Sequence, residues 1–293
     1  MNSKISESKA TGQRHVAFTL VELLVVIGTV AVLSAVLLPA LAGTKPDTIV
    51  AQCLENQRRL AQAFVLYTAD YKSAIVPVGG FRNMDGFINL PGGTTWDLAG
   101  QTADVSWQNF RATVNSTANL LFTYGASSKI IHCPGDVRYR NLPGHNWEYD
   151  SYSKPQNVGG ESSGNYWGQG STYTKLSQVT APANTFAFRE DVDSRGYNFG
   201  TWVLNWQLNT PQFGHAESFT WVDPPIPVYH GDVTTAAFVD GHAELHKWTD
   251  RTLIQYGLFI AGGSVTLNPP NPPNAGPDYD YVYQNFRFPG WQP

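Results

Sequence analysis

The residues best suited to chemistry cluster late in the chain. His242, Glu244 and His246 alternate with other residues. Side chains two apart on a β-strand share a face, so on a strand these three would project together. Two imidazoles and a carboxylate can hold a divalent metal if a fourth ligand arrives from elsewhere, and His230 is the nearest candidate. A zinc ion there would make an anchored metal-dependent hydrolase; without one, the same residues form a polar row facing solvent. Asp191 and Asp193, followed by Ser194, carry the alternating acidic and hydroxyl oxygens that begin a calcium loop. The third acidic position and the distal Glu are missing, which makes a polar turn the plainer expectation and leaves calcium as a candidate cofactor. Cys53 and Cys133 are too few for a disulfide scaffold and do not have zinc-ribbon spacing. Bonded together they would close a loop of about 80 residues, worth up to roughly 4–5 kcal/mol in the chain-entropy model. Unbonded, each would be a buried thiol. Trp147, Tyr149, Tyr152, Tyr166 and Trp167 would suit sugar stacking if exposed, and core packing if not. The chain has no nucleophile elbow, HExxH pair or phosphate loop, so no enzymatic activity and no resident cofactor is expected.

Elements must position these residues. Asp240-Gly241 is the dipeptide a two-residue type I′ turn favours, and its flanks alternate, which predicts a β-hairpin. That loop length sets Val239 opposite His242, Phe238 opposite Ala243 and Ala236 opposite Leu245. Phe238, Ala236, Ala243 and Leu245 would then face a long helix, with His242, Glu244 and His246 on the other side. The helix is predicted over about Asp47–Asp70, opened by a capping box of Thr44 and Asp47. Val50, Cys53, Leu54, Leu60, Ala61, Phe64, Val65 and Tyr71 recur at helical spacing, with Gln57, Arg58, Arg59 and Gln62 on the opposite side. Strands are expected at 130–132, 185–189, 201–208 and 219–222, between Gly- and Pro-rich loops, as an antiparallel sheet with insertions. Residues 268–277 are Pro-rich and extended. The tail beyond, with Tyr279, Tyr281, Tyr283, Phe286, Phe288 and Trp291, is too aromatic for a solvated end and should dock on the domain.

The chain has 293 residues and a formal charge of −4, which argues against a nucleic-acid binder relying on phosphate neutralisation. Charged residues make up only 14% and aromatics 13%, enough apolar mass for a core in a loop-rich protein. Near the N-terminus, residues 18–42 form a mainly apolar run with one charge, Glu22. As a helix this segment would reach about 37 Å, enough to cross a hydrocarbon core of about 30 Å. Lys4, Lys9 and Arg14 outnumber Glu7 ahead of it, which predicts a cytoplasmic N-terminus and an exported remainder. The segment is too long for a cleaved signal peptide of the ordinary kind. An intramembrane carboxylate costs roughly 2.5–3.5 kcal/mol on insertion scales, so Glu22 calls for a compensating charge.

Ala17, then Phe18-Thr19-Leu20-Val21-Glu22-Leu23-Leu24 and an apolar run, resembles the processing signal of type IV pilins and type II secretion pseudopilins. In that family a basic leader is cut before Phe, the new amine is methylated, and Glu stands fifth in the mature chain. The resemblance implies cleavage between Ala17 and Phe18, N-methylation of Phe18, and assembly through Glu22. Pro39 falls where many pilins carry a helix-loosening Pro. Ala17 replaces the usual Gly. Later landmarks resemble a pilin-like group found in planctomycete and verrucomicrobial bacteria. They are Cys53, Asn56, Arg59, Leu60, Tyr67, Asp70 and Pro77 in order, Cys133-Pro134-Gly135-Asp136, and His230 separated by nine residues from Asp240-Gly241. Some pseudopilins bind calcium in a C-terminal loop.

The resemblance implies a pilin-like α+β fold, with a long N-terminal helix packed on an antiparallel sheet. It divides the chain into a leader (1–17), a membrane and filament-core helix (18–42), an amphipathic helix (43–72), a β-rich domain (73–267) and a Pro-rich aromatic segment (268–293). It implies a structural subunit of a pilus or secretion pseudopilus that polymerises with itself or other pilins. Its partners would be a prepilin peptidase and, before assembly, the inner membrane, with the globular domain periplasmic. A membrane-tethered glycan-binding module and the metal-dependent hydrolase are the alternatives.

Overall fold

A computed structural model describes residues 20–29, 48–77, 100–145, 147–159, 172–191, 202–209, 215–221, 229–261 and 275–291. The chain divides into two compact units, Met1–Pro46 and Asp47–Pro293. In the first, residues 20–29 form helix α1 with every side chain exposed, Glu22 among them. Among the described residues, no helix is long and apolar enough to cross a membrane. Ala17, Phe18, Pro39 and most of the expected span lie outside the described residues.

The second unit is mixed helix and sheet. Helix α2 (Thr48–Asp70) buries Cys53, Leu60, Ala61, Phe64 and Tyr67 along one face. Gln57 also belongs to this face and is fully buried, because its amide nitrogen donates to the Thr235 carbonyl (3.4 Å). Its expected place on the solvent side is corrected by that hydrogen bond: an amide can enter a core when it gains a backbone partner. Helix α3 (Ala103–Val114) is capped by Thr102, whose hydroxyl accepts from Val105 N, and buries Phe110 and Val114.

Strands β1 (Tyr152–Ser153), β2 (Phe186–Glu190), β5 (Val233–Phe238) and β6 (Ala243–Lys247) form an antiparallel sheet in the order β1-β2-β5-β6. Strands β3 (Leu204–Asn209) and β4 (His215–Trp221) pair as a separate ribbon. The strand expected at 130–132 is instead a turn, with Ile130 N donating to the Ser127 carbonyl. Helix α4 (Arg251–Ala261) starts at Asp250, whose Oδ1 accepts from Thr252 N (2.7 Å) and Leu253 N (3.1 Å). Helix α5 (Pro277–Asn285) carries the aromatic C-terminal segment onto the domain, burying Tyr279, Val282, Phe286 and Phe288.

The β5–β6 hairpin forms, but its register is one residue from the expected one. Ala237 pairs with Ala243, Ala236 with Glu244 and Thr235 with Leu245. The reason lies in the loop. Gly241 N donates to the Phe238 carbonyl, Phe238 N donates to the His242 carbonyl, and Gly241 has φ +98°. Val239-Asp240-Gly241 is thus a three-residue connection, a turn followed by a left-handed Gly, instead of a two-residue type I′ turn. One extra residue moves one strand's side chains to the other face relative to its partner. Ala237, Val239 and Ala243 pack in the core that α2 covers. Ala236 and Phe238 join Trp248, Tyr279, Val282 and Phe286 in a second core on the opposite side. Strands β2 and β5 are thereby buried on both faces, while edge strand β6 leaves Leu245 exposed.

Candidate functional site

Three of the sequence landmarks meet at one point of the second unit. Cys53 projects from the second turn of α2, Cys133 from the turn after Ile131, and His230 from the loop that enters β5. Cys53 and Cys133 are joined as a disulfide, with their Cα atoms 5.3 Å apart. His230 Nε2 stands 3.1 Å from each sulfur. Its other ring nitrogen lies 3.0 Å from the Val233 carbonyl. A carbonyl only accepts, so Nδ1 carries the proton and Nε2 presents a lone pair to the sulfurs.

The fourth member, Glu190 at the end of β2, was not anticipated. Its Oε1 lies 3.4 Å from His230 Nε2 and accepts from Thr235 N (3.0 Å) and the Thr235 hydroxyl. Glu190 is fully buried. Burial pushes its carboxyl up to about 8, against the opposing pull of the Thr235 hydrogen bonds and Arg189. Burial also lowers His230, favouring neutral imidazole, and the Val233 hydrogen bond only partly opposes this. Nothing in Phe-Ala-Phe-Arg-Glu marks its last residue as a site member; its partner Thr235 lies on another strand.

A second polar group braces the first. Asp136 and Arg138 are both buried, with Arg138 Nη2 2.7 Å from Asp136 Oδ2. Burial pushes the Asp136 carboxyl up, but the guanidinium outweighs it and the net shift is downward. Arg138 Nη2 also donates to the carbonyls of Asp150 (3.0 Å) and Asp191 (3.4 Å), tying three loops together. Ser151 Oγ donates to Asp136 (2.8 Å) and accepts from Cys133 N (2.9 Å), which links this brace to the sulfur site. Asn56 on α2 donates to the His132 carbonyl (2.9 Å). The Cys-Pro-x-Asp residues therefore fix the loop that meets α2, and β5 separates His230 from the Asp240-Gly241 turn. Asp240 Oδ1 serves that turn by accepting from His242 N (3.1 Å).

The other sequence candidates are not assembled into this site. His242 Nδ1 sits 2.6 Å from Asp240 Oδ1 and its ring stacks on Phe238. His246 Nε2 lies 3.2 Å from Asp278 Oδ1, and its ring stacks on Tyr281 at 3.6 Å. Glu244 comes no nearer than 4.0 Å to the His242 ring nitrogen. This row keeps its expected side of β6, away from α2, but the C-terminal helix reaches that side, so His246 meets Tyr281 and Asp278 instead of solvent. Asp191 is buried, and its carbonyl accepts from the Tyr229 hydroxyl (2.9 Å). Asp193 lies outside the described residues, as do Tyr166 and Trp167. Trp147 and Tyr152 are core residues and offer no exposed face for a sugar. Tyr149 stacks on His132.

Compared with protein families, curated proteins and solved structures, the chain matches none.

Proposed function

We propose that this chain is the subunit of a pilus-like or secretion-pseudopilus filament, cut before Phe18 and assembled through its N-terminal helix. The observation that carries this reading is the sequence from Lys4 to Ala42: a basic leader ending at Ala17, Phe18, Glu22 four residues later, then a mainly apolar run without a further charge. Cleavage gives Phe18 a free amine. Glu22 of a neighbouring subunit can pair with that amine in the apolar filament core, so that both charges are compensated where an isolated charge would be costly. Pro39 lacks a backbone N–H and lets the helix loosen during assembly. The chain acts as a substrate of a prepilin peptidase and performs no catalysis of its own.

The second unit supports this reading through its construction. Helix α2 lies on an antiparallel sheet, tied to it by Gln57–Thr235 and to the 131–133 loop by Cys53–Cys133 and Asn56–His132. Those ties suit a head that must keep its helix under load. The experiment is electron microscopy of cells with mass analysis of sheared surface material and of isolated envelopes. Filaments containing a chain that begins at methylated Phe18 are expected. A chain that keeps Met1 in cells with active prepilin peptidase, without filaments, would overturn the reading.

A further inference from the structure

We infer that the Cys53–Cys133–His230–Glu190 cluster is a zinc site in the dithiol form of the protein, and that disulfide and metal are alternative occupants of one pocket. One ligand atom from each of the four residues lies within 4.8 Å of all the others. Around tetrahedral zinc, with bonds of about 2.0–2.3 Å, neighbouring ligand atoms stand about 3.3–3.8 Å apart. His230 Nε2 already lies 3.1 Å from both sulfurs and 3.4 Å from Glu190 Oε1. The two sulfurs must separate, which reduction of their bond permits, and the carboxylate and sulfurs, already within 4.8 Å, need at most a small adjustment. Two thiolates, an imidazole and a carboxylate in tetrahedral array select zinc among common divalent ions.

Two further observations point to a missing cation. Glu190 Oε2 is buried and has no hydrogen-bond partner among the described residues. The His230 lone pair faces sulfur atoms that, in the disulfide, carry no hydrogen to donate. The surroundings meanwhile match those of a metal-bound histidine: Nδ1 is held by the Val233 carbonyl, which fixes the tautomer and orients the ring. Glu190 is oriented in the same manner by Thr235.

The exchange balances. A small dithiol reductant delivers two electrons and two protons to the Cys53–Cys133 bond, leaving two thiols and the reductant's own disulfide. Zinc then binds both sulfurs, the His230 lone pair and the Glu190 carboxylate, displacing the two thiol protons and the proton of any protonated Glu190 carboxyl. A disulfide-bearing oxidant runs the exchange backwards and releases the metal. The inference does not depend on the filament reading.

The test uses the full chain in detergent, oxidised or reduced, with cobalt(II) and zinc(II) as probes. The reduced protein should take one cobalt per chain, with the thiolate-to-cobalt charge-transfer absorption and strong ligand-field bands of a tetrahedral site. The oxidised protein should take none. His230→Ala and Glu190→Gln should each weaken binding to the reduced protein by at least about tenfold, the lower end of losses seen even for outer-shell partners. If reduction loosens the fold, zinc should restore the near-ultraviolet circular dichroism of the oxidised protein. The inference is overturned if the reduced, folded chain takes no cobalt. It is also overturned if both variants bind as the parent does, or if zinc fails to restore a loosened fold.

Discussion

A Cβ placed on Gly135 would stand 2.6 Å from the carbonyl oxygen of Tyr229, closer than side-chain carbons approach backbone oxygens. The loop carrying His230 is therefore seated directly on the loop carrying Cys133. Gly135→Ala should force these loops apart and destabilise the second unit by about 1–3 kcal/mol, as overpacking does. Chemical denaturation measures this, and an unchanged midpoint would show that the contact is looser than described.

Asp136 and Arg138 make the next prediction. Asp136→Ala leaves the guanidinium buried without its carboxylate, and breaking such a pair from one side costs about 3–5 kcal/mol. Replacing both, as Asp136→Ala with Arg138→Met, should recover part of that loss, because an apolar pair carries no stranded charge. A double-mutant cycle by urea denaturation reads the coupling; additive losses would contradict the brace.

The turn at Gly241 gives a third. With φ +98°, Gly241 occupies a region that costs a residue with a side chain about 1–2 kcal/mol. Gly241→Val should cost at least that, since a Cβ there also meets Val65 on α2 at 3.4 Å. Differential scanning calorimetry should show a lower Tm, and an unaltered one would argue against the three-residue loop.

The pairing of His246 with Asp278 docks the C-terminal helix. Asp278 Oδ2 also accepts from Thr249 N (2.8 Å) and Asp250 N (2.6 Å). Burial lowers the His246 imidazole, and the nearby Asp278 opposes this only in part. Below the ordinary histidine value of 6.5 the unfolded chain therefore takes up a proton that the folded chain resists. Stability owed to neutral His246 is present above about pH 6.5 and lost as pH falls below it. His246→Gln should flatten part of the acid-side decline in Tm between about pH 7 and pH 5. Asp278→Ala should release α5, seen as faster amide exchange at Tyr279 and Val282.

What the sequence disclosed follows from how local each signal is. Cys53, Leu60 and Phe64 repeat at the helical period, and α2 runs over Thr48–Asp70. The hairpin is legible in Asp240-Gly241, but its register is not. The dipeptide suits both a two-residue turn and a three-residue turn closed by a left-handed Gly, and only the packing of Ala237, not Phe238, on the same side as Ala243 decides between them. Helix α3 carries only a short signal, the Thr102 cap and the spacing of Trp107, Phe110 and Val114, and no expected element covers it. Glu190 could not be read at all. A carboxylate ending an apolar strand gives no local sign that Thr235, 45 residues later, will satisfy it. The pilin-type processing signal rests on residues 17–42, most of which lie outside the described residues.

The proposed filament depends on a charge pair between Glu22 of one subunit and the Phe18 amine of the next, and Glu22→Ala removes one half of that pair. The variant removes a charge from an apolar segment, so membrane insertion of the monomer should be unharmed or slightly improved. In the filament it strands the Phe18 amine, and a buried pair broken from one side costs about 3–5 kcal/mol at every subunit contact. Sheared surface fractions should therefore lose the protein while the envelope keeps normal amounts of a chain beginning at Phe18, and Glu22→Gln should be less severe. Normal filaments from Glu22→Ala, or loss of the protein from the envelope, would contradict the account.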